Sequence, residues 1–181
     1  MAELMTLKEL ALYLHFTKKT IYGLLKQGNI SGIKIGRKWR FEKDAIDHWL
    51  HHNMRGAKAH ILVIDDDHIV RSLFKATLEE QGHIVVTAGT GAEGIQYAKQ
   101  RDFDLVFLDL KLPDIDGVEV FREIKSIRPN LLITIITGYP SSEMMERAVK
   151  EGPLGVMNKP FNDSDIIAAV GSFLHLIQPR R

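Results

Sequence analysis

Five short apolar runs, each closed by a polar residue and followed by a helical stretch, constrain residues 60–177 more than any other feature of the chain. Strands are expected at 60–65, 84–87, 104–108, 132–136 and 154–157, and helices at 68–81, 91–100, 117–128, 141–151 and 162–177. Five successive βα units build a parallel sheet with helices on both faces. The strand segments, such as Ile61-Leu62-Val63-Ile64 and Leu105-Val106-Phe107-Leu108, are apolar throughout rather than alternating. That is the signature of strands covered on both sides. The fold class expected is α/β, a doubly wound five-stranded parallel sheet.

What stands at the strand ends then decides the chemistry, because ligands of open α/β sheets bind at the carboxyl edge. Asp65 and Asp66 follow the first strand, Asp109 the third, Thr137 the fourth, and Lys159, in Asn158-Lys159-Pro160, the fifth. Each is ordinary alone. Two aspartates often follow a strand, Asp67 caps a helix, and a threonine suits a strand in any case. Together they make a site. Crowded carboxylates raise one another's pKa unless a cation joins them. Mg²⁺ uses one or two carboxylates, waters and a phosphate, and such a site stabilises charge on a transferring phosphoryl group. An aspartate can itself accept that group as an acyl phosphate. Lys159 would pair with the phosphoryl oxygens and Thr137 would hydrogen-bond to one.

The net charge of +1 conceals an asymmetry: residues 1–58 carry a balance of +6 and residues 59–181 a balance of −5. Two domains with different partners are expected, divided near the polar, glycine-containing stretch His51-His52-Asn53-Met54-Arg55-Gly56-Ala57-Lys58. The boundaries read are 1–54, a linker at 55–59, and 60–181. A basic segment of this size invites a nucleic-acid reading. The chain has no cysteine, so thiolate and disulfide chemistry are excluded. No apolar run approaches a membrane span, and Met1-Ala2-Glu3-Leu4 lacks a basic start followed by an apolar core. The expectation is a cytoplasmic protein without a membrane partner. His48, His51 and His52 cluster near the linker, and an exposed helix end explains them better than a metal does.

The N-terminal segment opens on a capping box, Thr6-Leu7-Lys8-Glu9, followed by Leu7, Leu10, Ala11 and Leu14 at helical spacing. After a break at His15-Phe16, Thr17 caps a helix from Lys18 to about Gln27 with Ile21, Leu24 and Leu25 inward, and Gly28 stops it. In residues 30–41, Ile33, Ile35, Trp39 and Phe41 alternate with Lys34, Lys38 and Arg40 about Gly36-Arg37, which reads as a β-hairpin. A third helix, Glu42 to Leu50, buries Ile46, Trp49 and Leu50. The order is that of a winged helix-turn-helix. Its second helix offers Lys18, Lys19, Tyr22 and Lys26 to a groove, and its hairpin offers Lys34, Arg37, Lys38 and Arg40 to backbone phosphates.

Two resemblances sharpen these readings. Leu7-Lys8-Glu9-Leu10-Ala11, Thr17-Lys18-Lys19-Thr20-Ile21-Tyr22, Gly28-Asn29-Ile30 and Ile35-Gly36-Arg37-Lys38-Trp39-Arg40-Phe41 resemble the excisionase-type, MerR-like DNA-binding domain. His15 stands where that family usually has glycine; histidine tolerates a positive φ better than bulky residues do. Ile61-Leu62-Val63-Ile64-Asp65-Asp66-Asp67, the run Asp109 to Gly117, Ile136-Thr137-Gly138 and Lys159-Pro160-Phe161 resemble the receiver domain of two-component response regulators, a flavodoxin-like fold. That resemblance implies that Asp109 accepts a phosphoryl group from a histidine kinase. It implies that Asp66 and Asp109 bind Mg²⁺, with the Lys111 main-chain carbonyl as a third ligand and Asp65 acting mostly through water. Thr137 and Lys159 would take the switch and phosphate-pairing roles. The family often has an aromatic residue three positions before the lysine, where this chain has Val156. Gly138 replaces a common small residue, and Lys111 and Tyr139 occupy positions that tune acyl-phosphate lifetime.

The function expected is a phosphorylation-controlled transcription regulator with its DNA-binding domain first. It would act as a phosphoacceptor with at most self-catalysed phosphorylation and dephosphorylation, not as an enzyme. Its partners would be a sensor histidine kinase, double-stranded DNA and a second copy on phosphorylation. The alternative is a phosphorelay or signalling adaptor whose N-terminal domain docks a protein. A metal-dependent phosphatase using Asp109 would usually need an acid where Lys111 stands.

Overall fold

The computed structural model describes residues 3–54 and 58–174. The chain divides into two compact units. One holds the elements up to Ala57 together with the chain from Ala168, and the other runs from Lys58 to Ile167. The 55–57 part of the expected linker, the side chains of Leu50, His51 and His52, and the end of the last predicted helix lie outside the described residues.

The first unit contains β1 (Leu4–Thr6), α1 (Leu7–Tyr13), α2 (Lys18–Lys26), β2 (Ile33–Ile35), β3 (Lys38–Glu42) and α3 (Lys43–Met54). Both arms of the expected capping box form. The Thr6 amide donates to Glu9 Oε2 at 2.7 Å, and the Glu9 amide donates to Thr6 Oγ1 at 3.2 Å. Thr17 caps α2 as read, and His15 takes a φ of 53° in the turn between the helices. Leu10, Leu14, Ile21, Leu24, Phe41 and Ile46 form the buried core. Tyr13 donates to Asp47 Oδ1, tying α1 to α3, and within α3 Lys43 pairs with Asp47 Oδ2 at 2.9 Å.

Two features depart from the sequence reading. A third strand, β1, pairs antiparallel with β3 and makes the hairpin a three-stranded sheet of order β1-β3-β2. At three residues it is too short to show an alternation. The register then separates the two arms. Ile33 stands opposite Arg40 and Ile35 opposite Lys38, whereas Lys34 stands opposite Trp39. Directly opposed residues share a face. So Ile33 and Ile35 lie with Lys38 and Arg40 on the outer face, half exposed, while Trp39 and Phe41 turn inward.

The second unit contains β4 (His60–Ile64), α4 (His68–Glu80), β5 (Ile84–Ala88), α5 (Gly91–Gln100), β6 (Leu105–Asp109), α6 (Gly117–Ile127), β7 (Leu132–Thr137), α7 (Glu143–Lys150), β8 (Gly155–Asn158) and the start of α8 (Asp163–Leu174). All five expected strands and their helices form within a few residues of the predicted ends. The strands make one parallel sheet of order β5-β4-β6-β7-β8. Alternate strand residues face opposite sides. Leu62, Ile64, Val106, Leu108, Ile133 and Ile135 pack with the buried faces of α5, α6 and α7. Phe107 points the other way and meets Phe74 of α4, ring centroids 4.7 Å apart. Among the described residues no helix is long and apolar enough to cross a membrane.

Gly117 fixes how close α6 comes to the end of β6. A Cβ there would lie 2.5 Å from Leu110 Cα and 2.7 Å from Asp109 O, both backbone atoms that cannot swing aside. Gly117→Ala therefore should move the segment after Asp109 and destabilise the second unit by about 1–3 kcal/mol. Urea unfolding checks this; an unchanged midpoint would show that the loop yields freely.

Candidate metal centre

The parallel register delivers the site. Asp65 follows β4 and its amide still donates to Ala88 O, so it continues the ladder. Asp109 ends β6 opposite Ile136, and Thr137 is the next residue of β7, opposite Asn158 of β8. Lys159 follows β8 directly and is joined to Pro160 by a cis peptide. Its amide donates to Thr137 O at 2.8 Å. Phe161 packs edge-on against Phe74 with ring centroids 5.4 Å apart, anchoring the segment that carries Lys159 to α4.

One ligand oxygen each of Asp65, Asp66 and Asp109 lies within 4.8 Å of the others. Asp65 is fully buried, Asp109 nearly so, and Asp66 exposed. Lys159 Nζ bridges the two buried acids, 2.6 Å from Asp109 Oδ2 and 2.8 Å from Asp65 Oδ2. The contact to Asp109 is a hydrogen bond. The contact to Asp65 has ion-pair distance without hydrogen-bond alignment, and it leaves Asp65 Oδ2 a buried oxygen with unspent acceptor capacity. Asp65 Oδ1 accepts from the Asp67 amide at 2.9 Å, and Asp109 Oδ1 from the Lys111 amide at 3.1 Å. The Thr137 hydroxyl, also buried, accepts from the Tyr139 amide at 2.9 Å. Lys111 Nζ lies 5.3 Å from the centre of the Tyr139 ring.

The electrostatics follow from this packing. Burial pushes the Asp65 carboxyl up; the Lys159 ammonium works against that and the Asp109 charge adds to it. Burial alone would lower Lys159, but its contacts with Asp109 and Asp65 outweigh it and raise the ammonium above its ordinary value. One ammonium set against three carboxylates leaves about two negative charges uncompensated. With an unaligned buried oxygen facing them, the donor set fits a hard divalent cation. The cluster can coordinate a metal ion.

A family model described as the response regulator receiver domain matches residues 61–171, and a helix-turn-helix domain model matches residues 4–54. The chain belongs to the response regulator receiver family. It carries a helix-turn-helix domain ahead of the receiver. Among curated relatives, the transcriptional regulatory protein GlrR of Escherichia coli is 31% identical over 121 residues, 67% of this chain and 27% of GlrR. The chemotaxis protein CheY of Halobacterium salinarum is 34% identical over 114 residues, 63% of this chain and 95% of CheY. The chain thus spans about a quarter of the length of the transcriptional regulator, and the match there is to the receiver. Among solved structures, a CheY-like receiver domain protein from Methanospirillum hungatei superposes with a TM-score of 0.63 at 30% identity, covering 66% of this chain and 96% of that one. The BeF3-activated DrrB receiver domain gives 0.60 at 29%, covering 66% and 99%. The receiver architecture and its acid cluster are consistent with self-catalysed phosphorylation and dephosphorylation rather than with turnover of a separate substrate.

In the helix-turn-helix unit, Lys18, Lys19, Tyr22 and Lys26 are exposed on α2, opposite the buried Ile21 and Leu24. Spacings of three and four place them on one stripe. The wing cations do not share a face. Lys38 and the half-buried Arg40 lie on the outer face, Arg37 in the turn, and Lys34 on the Trp39 side, 6.0 Å from that ring.

The sequence reading passed over a supporting residue in the loop after β6. Asp114, inside the run that follows Asp109, accepts from the amides of Gly91 and Ala92 at 2.8 and 2.9 Å. It thereby caps α5 from the neighbouring loop and pins the segment carrying Lys111. Only the tertiary fold brings these residues together, so spacing gave no signal. Burial works to raise Asp114, and its backbone hydrogen bonds outweigh that and hold it below 3.8. A carboxyl depressed in the folded state stabilises above its unfolded value and loses that contribution as pH falls through the folded one. Asp114→Ala should cost about 1 kcal/mol at neutral pH, with the difference from the parent shrinking as denaturation is repeated below pH 3.8. A difference independent of pH would assign the loss to packing.

Proposed function

We propose that this protein is a two-component response regulator in which phosphorylation of Asp109 controls DNA binding by the N-terminal domain. The observation that carries this reading is the joint position of Asp65, Asp66, Asp109 and Lys159 at one sheet edge, with Asp109 on the bridging ammonium. An Asp109 oxygen attacks the phosphorus of a phosphohistidine on a sensor kinase. The P–N bond breaks, the imidazole keeps the electron pair, and the aspartate becomes an acyl phosphate. Lys159 Nζ, already at Asp109 Oδ2, balances charge on the phosphoryl oxygens, and Thr137 supplies a hydroxyl at the adjoining strand end. Mg²⁺, held by Asp66, Asp109 and the Lys111 carbonyl with Asp65 behind, would neutralise charge on the transferring group. A Burkholderia pseudomallei response regulator, 29% identical over 62% of this chain, has been solved with a phosphorylated aspartic acid and a calcium ion, which supports the assignment.

The domains proposed are a winged helix-turn-helix of the excisionase-type, MerR-like class over 1–54, a linker at 55–59 and a receiver over 60–181. The acyl phosphate adds charge and acceptors that favour one arrangement of the receiver face built from residues 141–177. That face pairs with a second receiver and brings two reading helices to adjacent half-sites. A second reading, a signalling adaptor, draws on the outer wing face, where Ile33 and Ile35 are 50% and 56% exposed.

Incubation with Mg²⁺ and a small phosphodonor should add one phosphoryl group, and Asp109→Asn should abolish it. Mass spectrometry reads the result, and equal labelling of the variant would displace Asp109 as acceptor. Alanine at Arg37 and Lys38 should weaken duplex binding about equally on all sequences and flatten its salt dependence. A protein that binds no duplex in a salt-sensitive way, phosphorylated or not, is the adaptor.

A further inference from the structure

Arg71 is absent from the residues read as functional, yet it holds the backbone beneath two of them. It lies in the first turn of α4 and reaches back to the end of β4. Its Nη1 is 2.6 Å from Asp65 O and 2.9 Å from Asp66 O. A terminal guanidinium nitrogen carries two N–H groups, so it can give one to each carbonyl. Those carbonyls belong to the two residues whose carboxylates sit beside that of Asp109.

The two aspartates depend on this grip unequally. Asp65 is buried and has a second tether, the Asp67 amide on its Oδ1. Asp66 is exposed, and among the described residues the Arg71 bond is the side-chain contact that fixes it. The arginine holds the peptide from which the Asp66 carboxylate projects. The guanidinium lies beside Gly89, where a Cβ would stand in ordinary van der Waals contact, 3.4 Å from Arg71 Nη1 and 3.5 Å from Cζ.

We propose that Arg71 is a positioning residue for divalent-cation binding, fixing the loop at Asp65 and Asp66 so that their carboxylates converge with Asp109. This rests on reading those three acids as the Mg²⁺ site. Partners behind the ligands of a metal typically contribute about ten- to a hundredfold in affinity. Arg71→Ala should therefore raise the Mg²⁺ Kd of the full chain by about tenfold in calorimetry, at a temperature well below unfolding. The Mg²⁺ concentration for half-maximal phosphorylation by a small phosphodonor should rise by the same factor. Arg71→Lys keeps the charge, but its ammonium ends one bond short of the Nη1 position that reaches both carbonyls, so it should remain weakened by at least about threefold.

Equal Kd values in the parent and both variants would overturn the proposal. So would full affinity in Arg71→Lys, which would make charge the cause rather than position. If Arg71→Ala does not fold, the lysine variant decides the matter by itself. A parent that binds no Mg²⁺ at all brings down the metal-site reading and this inference together, an outcome distinct from a parent that binds and a variant that binds equally well.

Discussion

The receiver unit depends on one ammonium placed between two buried carboxylates. Asp65 is wholly out of water, and an isolated carboxylate there would be costly unless it protonated. Lys159 keeps both buried acids in play and is itself held charged by them. The arrangement satisfies the acids incompletely, since an aligned bond reaches Asp109 and only an ion-pair contact reaches Asp65. That shortfall would give a divalent cation something to stabilise.

The remaining architecture serves to keep these strand ends in register. Each functional group is attached to a strand whose neighbours are buried on both faces, so a slip of one residue would expose a set of core side chains. The loops are then tied individually. Gly117 lets α6 begin against the backbone of Asp109 and Leu110, Asp114 binds the same loop to the head of α5, and Phe161 seats the Lys159 segment on Phe74. These contacts come from three different helices. A site on loops gains its precision from several such anchors rather than from stiffness in the loops themselves.

Most of this was legible in the sequence because it rests on patterns of short range. The apolar runs predict all five strands, and the polar residue closing each run predicts Asp65, Asp109, Thr137 and Lys159 at one edge. The Thr6–Glu9 capping box and the His15 turn are local too and stand as read. What stayed hidden needed pairing between distant segments. Leu4–Thr6 shows no alternation in three residues and is a strand only because β3 offers an edge. The alternation in 33–41 is real in each arm, but the register across Gly36-Arg37 sets the isoleucines and the aromatics on opposite faces. Arg71 and Asp114 look like ordinary surface charges until the fold brings carbonyls and amides to them.

Under the proposed function, the response to a phosphoryl group at Asp109 would travel by a route that this packing leaves open. Val156 is partly buried against the apolar core, and a branched aliphatic side chain in that place has no ring to swing between inside and outside. Movement is easier at the turn after β7. Gly138 has open space where a side chain would begin, and Tyr139 is exposed, tied to Thr137 through its amide and near Lys111 through its ring. Drawing the Thr137 hydroxyl toward a phosphoryl oxygen would compete with the Tyr139 amide and release that turn. The helix that follows is joined to α6 by two ion pairs, Arg147 with Asp116 at 3.0 Å and Arg122 with Glu151 at 2.6 Å. Both are exposed or half-exposed and each is worth little alone, so they bias the position of α7 without locking it. The turn at 138–140 would thus work as the trigger, with the α6–α7 ion pairs setting how far its release must shift the balance before α7 follows.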